Sequence, residues 1–266
     1  MILDKIVAAT KIRVEEAKLK NSFEKTKMEA LSAVKSDSFP FEKALKKEGV
    51  KDAMSFICEI KKASPSKGII SQDFRYIETA KEYEAAGADA ISVLTEPDFF
   101  LGGNKYLTEI KNTVKIPVLR KDFIIDQYQI FEAKNIGADA ILLICAILDF
   151  YTLKEFMATA RDLGLSCLVE AHDEKEVETA LKADAKIIGV NNRNLKNFEV
   201  DIYNSIKLRK LVPENKIFVS ESGIKTKEDI DILRLNKVDA VLIGEELMKS
   251  GNIKEKLREL KGDGVS

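Results

Sequence analysis

A short phrase returns along this chain. Gly87-Ala88-Asp89-Ala90-Ile91 recurs as Gly137-Ala138-Asp139-Ala140-Ile141, with fainter echoes at Ala183-Asp184-Ala185 and Val238-Asp239-Ala240-Val241. The two full copies are roughly 50 residues apart, the length of two βα units. Each follows a charged segment of helical period and opens a short apolar run, as expected where a crossover helix returns into a buried parallel strand. Read by run length, the sequence predicts eight strands near 54–60, 90–94, 117–121, 140–144, 166–170, 186–190, 216–220 and 240–243. Amphipathic stretches at 76–86, 127–136, 151–163 and 227–235 lie between them, and Gly87, Gly137 and Gly164 stand where helices end. Eight βα units in 266 residues predict an α/β fold, a (β/α)8 TIM barrel. An open doubly wound sheet would need a GxGxxG turn after its first strand, and the chain has none.

Residues 1–48 precede the first strand and read as a helical extension within a single domain spanning 1–266, with Ile2, Ile6, Ala9, Ile12 and Val14 among charged residues. Two placements are open to it: a cap on the bottom or side of the barrel, or a wall over its mouth. The tail after Leu260 is expected to fray.

Composition narrows the partners. Lys+Arg total 43 against Asp+Glu 44, so no basic excess draws the chain to nucleic acid or to a membrane surface, and an anionic small molecule must be held by local groups. No apolar run approaches the ~18 residues of a membrane span, and the start at Met1 lacks the pattern of an export signal, so a cytoplasmic protein is expected. Cys58, Cys145 and Cys167 fall inside apolar runs with no CxxC spacing, in keeping with a reducing compartment. His172 is the only histidine and is assigned to packing, which argues against a His-based triad or a multi-histidine metal site. Lysines would compete with magnesium for the carboxylates, so no metal is expected. The sequence leaves the oligomeric state open, with a monomer as the simplest expectation.

Strand period then becomes a test of function. Barrel residues that point inward at the C-terminal strand ends carry chemistry. On the first strand Phe56, Cys58 and Ile60 share one face and Ile57, Glu59 and Lys61 the other, so Glu59 and Lys61 should point inward together. The same count turns Lys121 and Glu170 inward at the ends of the third and fifth strands, Asn191 just after the sixth and Glu221 just after the seventh. Enclosed lysines and carboxylates shift one another's pKa and can supply an acid and a base near neutral pH without histidine. Glycine turns follow the seventh strand (Glu221-Ser222-Gly223) and the eighth (Ile243-Gly244-Glu245), the two positions where this fold commonly holds phosphate, and Arg193 and Ser64 could add donors. These features alone leave room for a Schiff-base aldolase or sugar-phosphate isomerase with Lys61 or Lys121 as nucleophile. A catalytically silent sugar-phosphate-binding barrel is also open.

The segment from Glu59 through Lys61, Ser64, Pro65 and Ser66 to Gly68 resembles the first-strand signature of the indole-3-glycerol phosphate synthase family. Leu94-Thr95-Glu96 with Phe99, Phe100 and Gly102-Gly103, then Leu119-Arg120-Lys121-Asp122-Phe123, Val169-Glu170-Ala171-His172, Asn191-Asn192-Arg193 and Glu221-Ser222-Gly223 follow in the family's order. The resemblance implies cofactor-free ring closure of 1-(2-carboxyphenylamino)-1-deoxyribulose 5-phosphate, with loss of carbon dioxide and water. It implies Lys121 as general acid at the ribulose carbonyl and Glu170 as stabiliser of the cationic intermediate or as base. Lys61 would pair with the substrate carboxylate, Glu59 would be the base for rearomatisation, and Asn191 and Glu221 would orient these groups. Phosphate would lie against Ser64, Ser222, Gly223, Gly244 and Glu245, with Arg193 orienting strand-end groups. Phe99 and Phe100 would wall the anthranilate ring. The chain departs from the family's habit at Glu245-Glu246, where serine or alanine is common in at least one place, and at Asn194, where aspartate is common.

Overall fold

The structure is a computed structural model that describes residues 2–33, 38–46, 53–194 and 198–262. Helices α1 (Ile2–Lys20), α2 (Phe23–Ser32) and α3 (Pro40–Leu45) precede β1 (Ser55–Ile60). A short hairpin follows, β2 (Ala63–Ser64) and β3 (Gly68–Ile69). The alternation continues with α4 (Tyr76–Ala85), β4 (Ala90–Leu94), α5 (Asn104–Lys111), β5 (Val118–Lys121), α6 (Gln127–Asn135), β6 (Ala140–Ile144), α7 (Phe150–Asp162) and β7 (Ser166–Ala171). It finishes with α8 (Glu174–Lys182), β8 (Ile187–Asn191), α9 (Tyr203–Arg209), β9 (Ile217–Glu221), α10 (Lys227–Leu235), β10 (Ala240–Ile243), α11 (Glu245–Lys249) and α12 (Ile253–Lys261). The eight longer strands close into a parallel barrel in the order β1-β10-β9-β8-β7-β6-β5-β4, a TIM barrel as the repeat predicts.

The repeated phrase has a physical reason. Gly87 and Gly137 take the left-handed conformation (φ 81° and 91°) that stops α4 and α6, and Asp184 and Lys237 do the same without glycine (φ 62° and 59°). The aspartate two residues later ties the next strand to its neighbour. Asp89, Asp139 and Asp239 each donate their backbone N–H to Phe56, Val118 and Phe218, and each accepts that residue's N–H on Oδ2 at 2.8 Å. At the first of the two echoes the left-handed residue is Asp184 itself, so Ala183-Asp184-Ala185 is out of register with the other copies, and Lys186 fills the aspartate's place.

Inward and outward faces separate as period two requires. Ile57, Leu119, Leu142, Leu168, Ile187, Val219 and Leu242 fill the barrel interior. Phe56, Cys58 and Ile60 face the helices in the outer core. Boundaries differ from the sequence-based ones at three places that matter. The third barrel strand starts at Val118 because Pro117 has no N–H to give the ladder. Asn191 and Glu221 are the last residues of β8 and β9 rather than loop residues, and they pair with each other in register.

The extension does both things that were open to it. Phe41 and Leu45 of α3 join the interior core at the bottom of the barrel, where Ser55 Oγ donates to the carbonyls of Ala44 (3.1 Å) and Leu45 (3.3 Å) at the helix end. α1 lies instead across the mouth, its Ile2, Leu3 and Ile6 lining the cavity there. At the other terminus α12 holds to Lys261 and closes on Gly262 (φ 84°), while the expected fraying at 263–266 lies outside the described residues, as do extension residues 1, 34–37 and 47–48. Among the described residues no helix is long and apolar enough to cross a membrane.

Candidate active site

The C-terminal strand ends surround a cavity of about 310 Å³. Lys121 lines it, with Nζ donating to Glu170 Oε2 at 3.1 Å and to Glu221 Oε2 at 3.0 Å. Beside it Lys61 Nζ donates to Glu59 Oε1 at 2.5 Å. Both carboxylates facing Lys121 are buried, so the ammonium is the main counter-charge that lets them ionise there. Burial works against the Lys121 ammonium, but Glu170, Glu221 and Glu59 outweigh it and hold the pKa well above the usual lysine range. Burial also pushes the carboxyls up. At Glu170 this is overcome by Lys121, His172 and a hydrogen bond from Asn191, and its pKa ends below the usual 4.5. Glu221 shares Lys121 but faces the charges of Glu170 and Glu59 as well, so burial prevails and its pKa is pushed up to about 7. Its Oε1 is buried with no hydrogen-bond partner among the described residues.

Two glycines make room for these carboxylates. A Cβ on Gly189 would stand 2.2 Å from Glu221 Oε1, and one on Gly244 would stand 2.6 Å from Glu59 Oε1. Gly189 was not foreseen, although a glycine inside the otherwise β-branched run of β8 was the available signal.

One wall of the cavity gathers the anion-binding candidates Ser64, Ser222, Gly223, Gly244 and Glu245, together with Arg193. Ser222 and Gly223 both take positive φ (67° and 83°), and a Cβ on Gly223 would meet Val200 Cγ1 at 2.3 Å. Asn192 secures this turn from behind. Its Nδ2 donates to Ser220 Oγ and to the Ser222 carbonyl, each at 3.0 Å, while its Oδ1 accepts from Ser205 N and Oγ. The sequence reading missed its role; a polar residue turned outward at a buried strand end was the clue. Glu245 lies among cations, with Oε1 2.6 Å from Lys249 Nζ and 3.8 Å from Lys67 Nζ, and Oε2 3.7 Å from an Arg193 guanidinium nitrogen. Arg193 also receives a turn from Asn191, whose Oδ1 accepts its backbone N–H at 3.0 Å.

The opposite wall is organised by Glu96, whose fully buried carboxylate accepts the backbone N–H groups of Asp98, Phe99 and Phe100. Phe100 lines the cavity and packs on Phe123, ring centroids 5.9 Å apart. Phe99, expected beside Phe100, is not among the residues that line the cavity. With both amides gathered on Glu96 Oε2, the tight turn brings only Phe100 to the lining. Arg13 of α1 closes this wall, bonding Glu96 (3.0 Å), Asp98 (3.1 Å) and Asp122 (3.4 Å). No sequence signal in the extension singled out Arg13.

His172 is more than packing. Its Nδ1 lies 3.1 Å from Glu176 Oε2 and its Nε2 3.4 Å from Glu170 Oε1, which places it directly behind a carboxylate of the central cluster. The residue directly follows β7, so the alternation that assigned the strand residues gave no prediction for it. Among the described residues no three His, Cys, Asp or Glu side chains are arranged to hold a metal ion.

The family model for indole-3-glycerol phosphate synthase matches residues 3–260. An indole-3-glycerol phosphate synthase from Endomicrobium trichonymphae is 70% identical over 98% of this chain and 100% of its own length. One from Ruminiclostridium cellulolyticum is 63% identical, over 98% and 99%. The 3-hexulose-6-phosphate synthase of Salmonella typhimurium superposes with a TM-score of 0.65 at 17% identity, covering 79% of this chain and 97% of that one, a likeness of fold alone. The continuous match, together with an acid–base cluster at the mouth of the barrel, places the chain in the indole-3-glycerol phosphate synthase family.

Proposed function

We propose that the mouth of this barrel performs the reaction its family is named for, and that its residues divide the work as follows. The observation that carries the reading is Lys121 held between Glu170 and Glu221, with the Lys61–Glu59 pair alongside. The enzyme is a carboxy-lyase of tryptophan biosynthesis acting on a small-molecule substrate, 1-(2-carboxyphenylamino)-1-deoxyribulose 5-phosphate.

An ammonium has three N–H groups. Two of those on Lys121 go to Glu170 and Glu221, leaving the third to donate to the ribulose carbonyl oxygen and make its carbon electrophilic toward the anthranilate ring. Ring attack creates a cation, and Glu170 faces it as stabiliser or as base. Lys61 pairs with the substrate carboxylate until carbon dioxide leaves and then protonates the hydroxyl that departs as water, and Glu59 takes the proton whose loss restores the aromatic ring. Asn191 and Glu221 orient the two central groups. Phosphate rests against Ser64, Ser222-Gly223 and the Gly244-Glu245 turn, and Phe100 walls the ring.

A chain without tryptophan makes the test direct, because the product's indole fluorescence would rise over a tyrosine background. Metal-stripped protein given the carboxyphenylamino-deoxyribulose phosphate should show a signal that saturates with substrate. Binding by calorimetry without any rise would support the silent-barrel alternative instead. Borohydride trapping of a substrate–lysine adduct would support the Schiff-base alternative. The reading needs only one chain per active site, and we take the protein to act as a monomer in the cytoplasm without nucleic acid or a membrane.

A further inference from the structure

His172 is tied down from several sides. Its backbone N–H donates to Glu176 Oε2 at 2.8 Å, its carbonyl accepts from Asn204 Nδ2 at 3.1 Å, and its Nδ1 faces the same Glu176 oxygen at 3.1 Å. Asp173 accepts the Glu176 N–H at 2.9 Å and so fixes the start of α8. A carboxylate only accepts hydrogen bonds, so the partner assigns a proton to Nδ1. In the neutral ring Nε2 then carries a lone pair, and that atom is buried, without a hydrogen-bond partner among the described residues, 3.4 Å from Glu170 Oε1. A lone pair facing an ionised carboxylate is repulsive. One further proton, on Nε2 or on Oε1, turns the contact into an attraction.

We propose that His172 is a positioning residue for Glu170: one proton is shared between Nε2 and Oε1, and Glu176 holds the ring from its other nitrogen. The inference rests on the role given to Glu170 above. When Glu170 accepts a proton on Oε1, that proton can pass to Nε2, while the Nδ1 proton stays with Glu176; return of the proton reverses the step, so charge and protons balance. When the pair loses its shared proton, Glu170 is pushed from Nε2 and its alignment with Lys121 is disturbed. The titratable groups acting on the imidazole are Glu176 at the start of α8, Glu170 on β7 and Glu221 on β9, with Lys121 beyond Glu170 and with Asp173 and Cys145 interacting near the two nearest carboxylates. Burial works against the imidazolium, but the Glu176 hydrogen bond and the charges of Glu170, Glu176 and Glu221 outweigh it, raising the pKa above the usual 6.5.

Because the chain has one histidine, ring-nitrogen NMR of the full-length protein carrying no added histidines reads His172 without assignment work. The expected spectrum shows Nδ1 protonated at high pH and a titration midpoint that Glu170→Gln lowers by about one pH unit. Glu176→Gln, which does not touch Glu170, should lower it too. In turnover, the alkaline fall of kcat should coincide with the NMR midpoint in the parent protein and vanish in His172→Gln, whose amide donates a fixed hydrogen bond, with KM little changed. A ring protonated on Nε2 at high pH, or a midpoint that ignores Glu170→Gln, overturns the proposal. So does coupling by NMR with an unaltered His172→Gln profile, a result that leaves the role of Glu170 intact. Full turnover in Glu170→Gln would instead remove Glu170 from the mechanism. If His172→Gln fails to fold, the profile of Glu176→Gln decides in its place.

Discussion

Glu221 accepts from Lys121 Nζ on one carboxylate oxygen, Oε2, at 3.0 Å, while the other is buried without a hydrogen-bond partner among the described residues. Its carboxyl is raised from the usual 4.5 to about 7, so between these values the folded protein keeps a proton that the unfolded chain has lost. By linkage, that difference stabilises the fold below the window and is lost as pH rises through it. Glu221→Gln has no charge to bury. Its stability relative to the parent should therefore climb by about 1–3 kcal/mol between about pH 5 and pH 8. Thermal melts at the two pH values check this, and a difference flat in pH would refute it.

Removing Lys121 leaves Glu170 and Glu221 without the ammonium that bridges them. Lys121→Ala should lower turnover by about 10²–10⁴, the range for loss of a general acid. It should also destabilise the fold by about 3–5 kcal/mol where both carboxylates are ionised, and by less in acid. Steady-state fluorescence and pH-dependent melts measure the two effects separately; near-normal turnover would take the acid role from Lys121.

Gly189 is needed for space rather than for backbone freedom, since its φ is not positive. Gly189→Ala would put a methyl 2.2 Å from Glu221 Oε1 and must move that side chain. The expected outcome is a kcat loss of at least about tenfold, with circular dichroism unchanged. Unchanged kcat would show that the position of Glu221 is not critical.

Arg13 joins α1 to the loop that carries Phe100 and to Asp122, the neighbour of Lys121. Arg13→Ala leaves the buried Glu96 carboxylate with backbone donors but no counter-charge from α1, and frees the helix whose Ile2, Leu3 and Ile6 wall the cavity. KM should rise severalfold and kcat should fall less, because the wall encloses substrate without touching the acid–base pair. Steady-state kinetics of this variant and of Arg13→Lys, which keeps one charge, would reveal any contrary order.

Glu245 neutralises Lys67, Lys249 and Arg193 at the wall where we place phosphate. Burial tends to raise its pKa, but Lys249, Lys67 and Arg193 outweigh burial and lower it, so it is anionic at neutral pH. Glu245→Ala should lower KM, most clearly at low ionic strength, where the freed cations attract phosphate at longer range. A rise in KM would mean that the Glu245 side chain helps to order the turn.

Much of the site could be read from strand period. Glu59, Lys61, Lys121, Glu170, Asn191 and Glu221 all line one cavity because alternation gives each inward end a known parity, and parallel strands closed into a barrel bring those ends together. The same rule was silent at Phe99, where a turn replaces alternation, and at His172, just past the end of β7.

The eight βα units, the inward parity of each strand and the residue types available at the mouth follow from local periodicity and from the αL stops and aspartates that tie strand to strand, and so are legible in the chain. Which charges meet is set by closure of the barrel. Lys121 and Glu221 are 100 positions apart, and their 3.0 Å contact exists because barrel closure fixes the stagger of β5 against β9. The placement of α1 over the mouth and of α3 in the base was decided in the same way, by which apolar faces found cover, as were the clearance Gly189 gives Glu221 and the nearness of His172 to Glu170. Contacts of this kind depend on distances set by packing across the whole barrel, which no local pattern in the chain encodes.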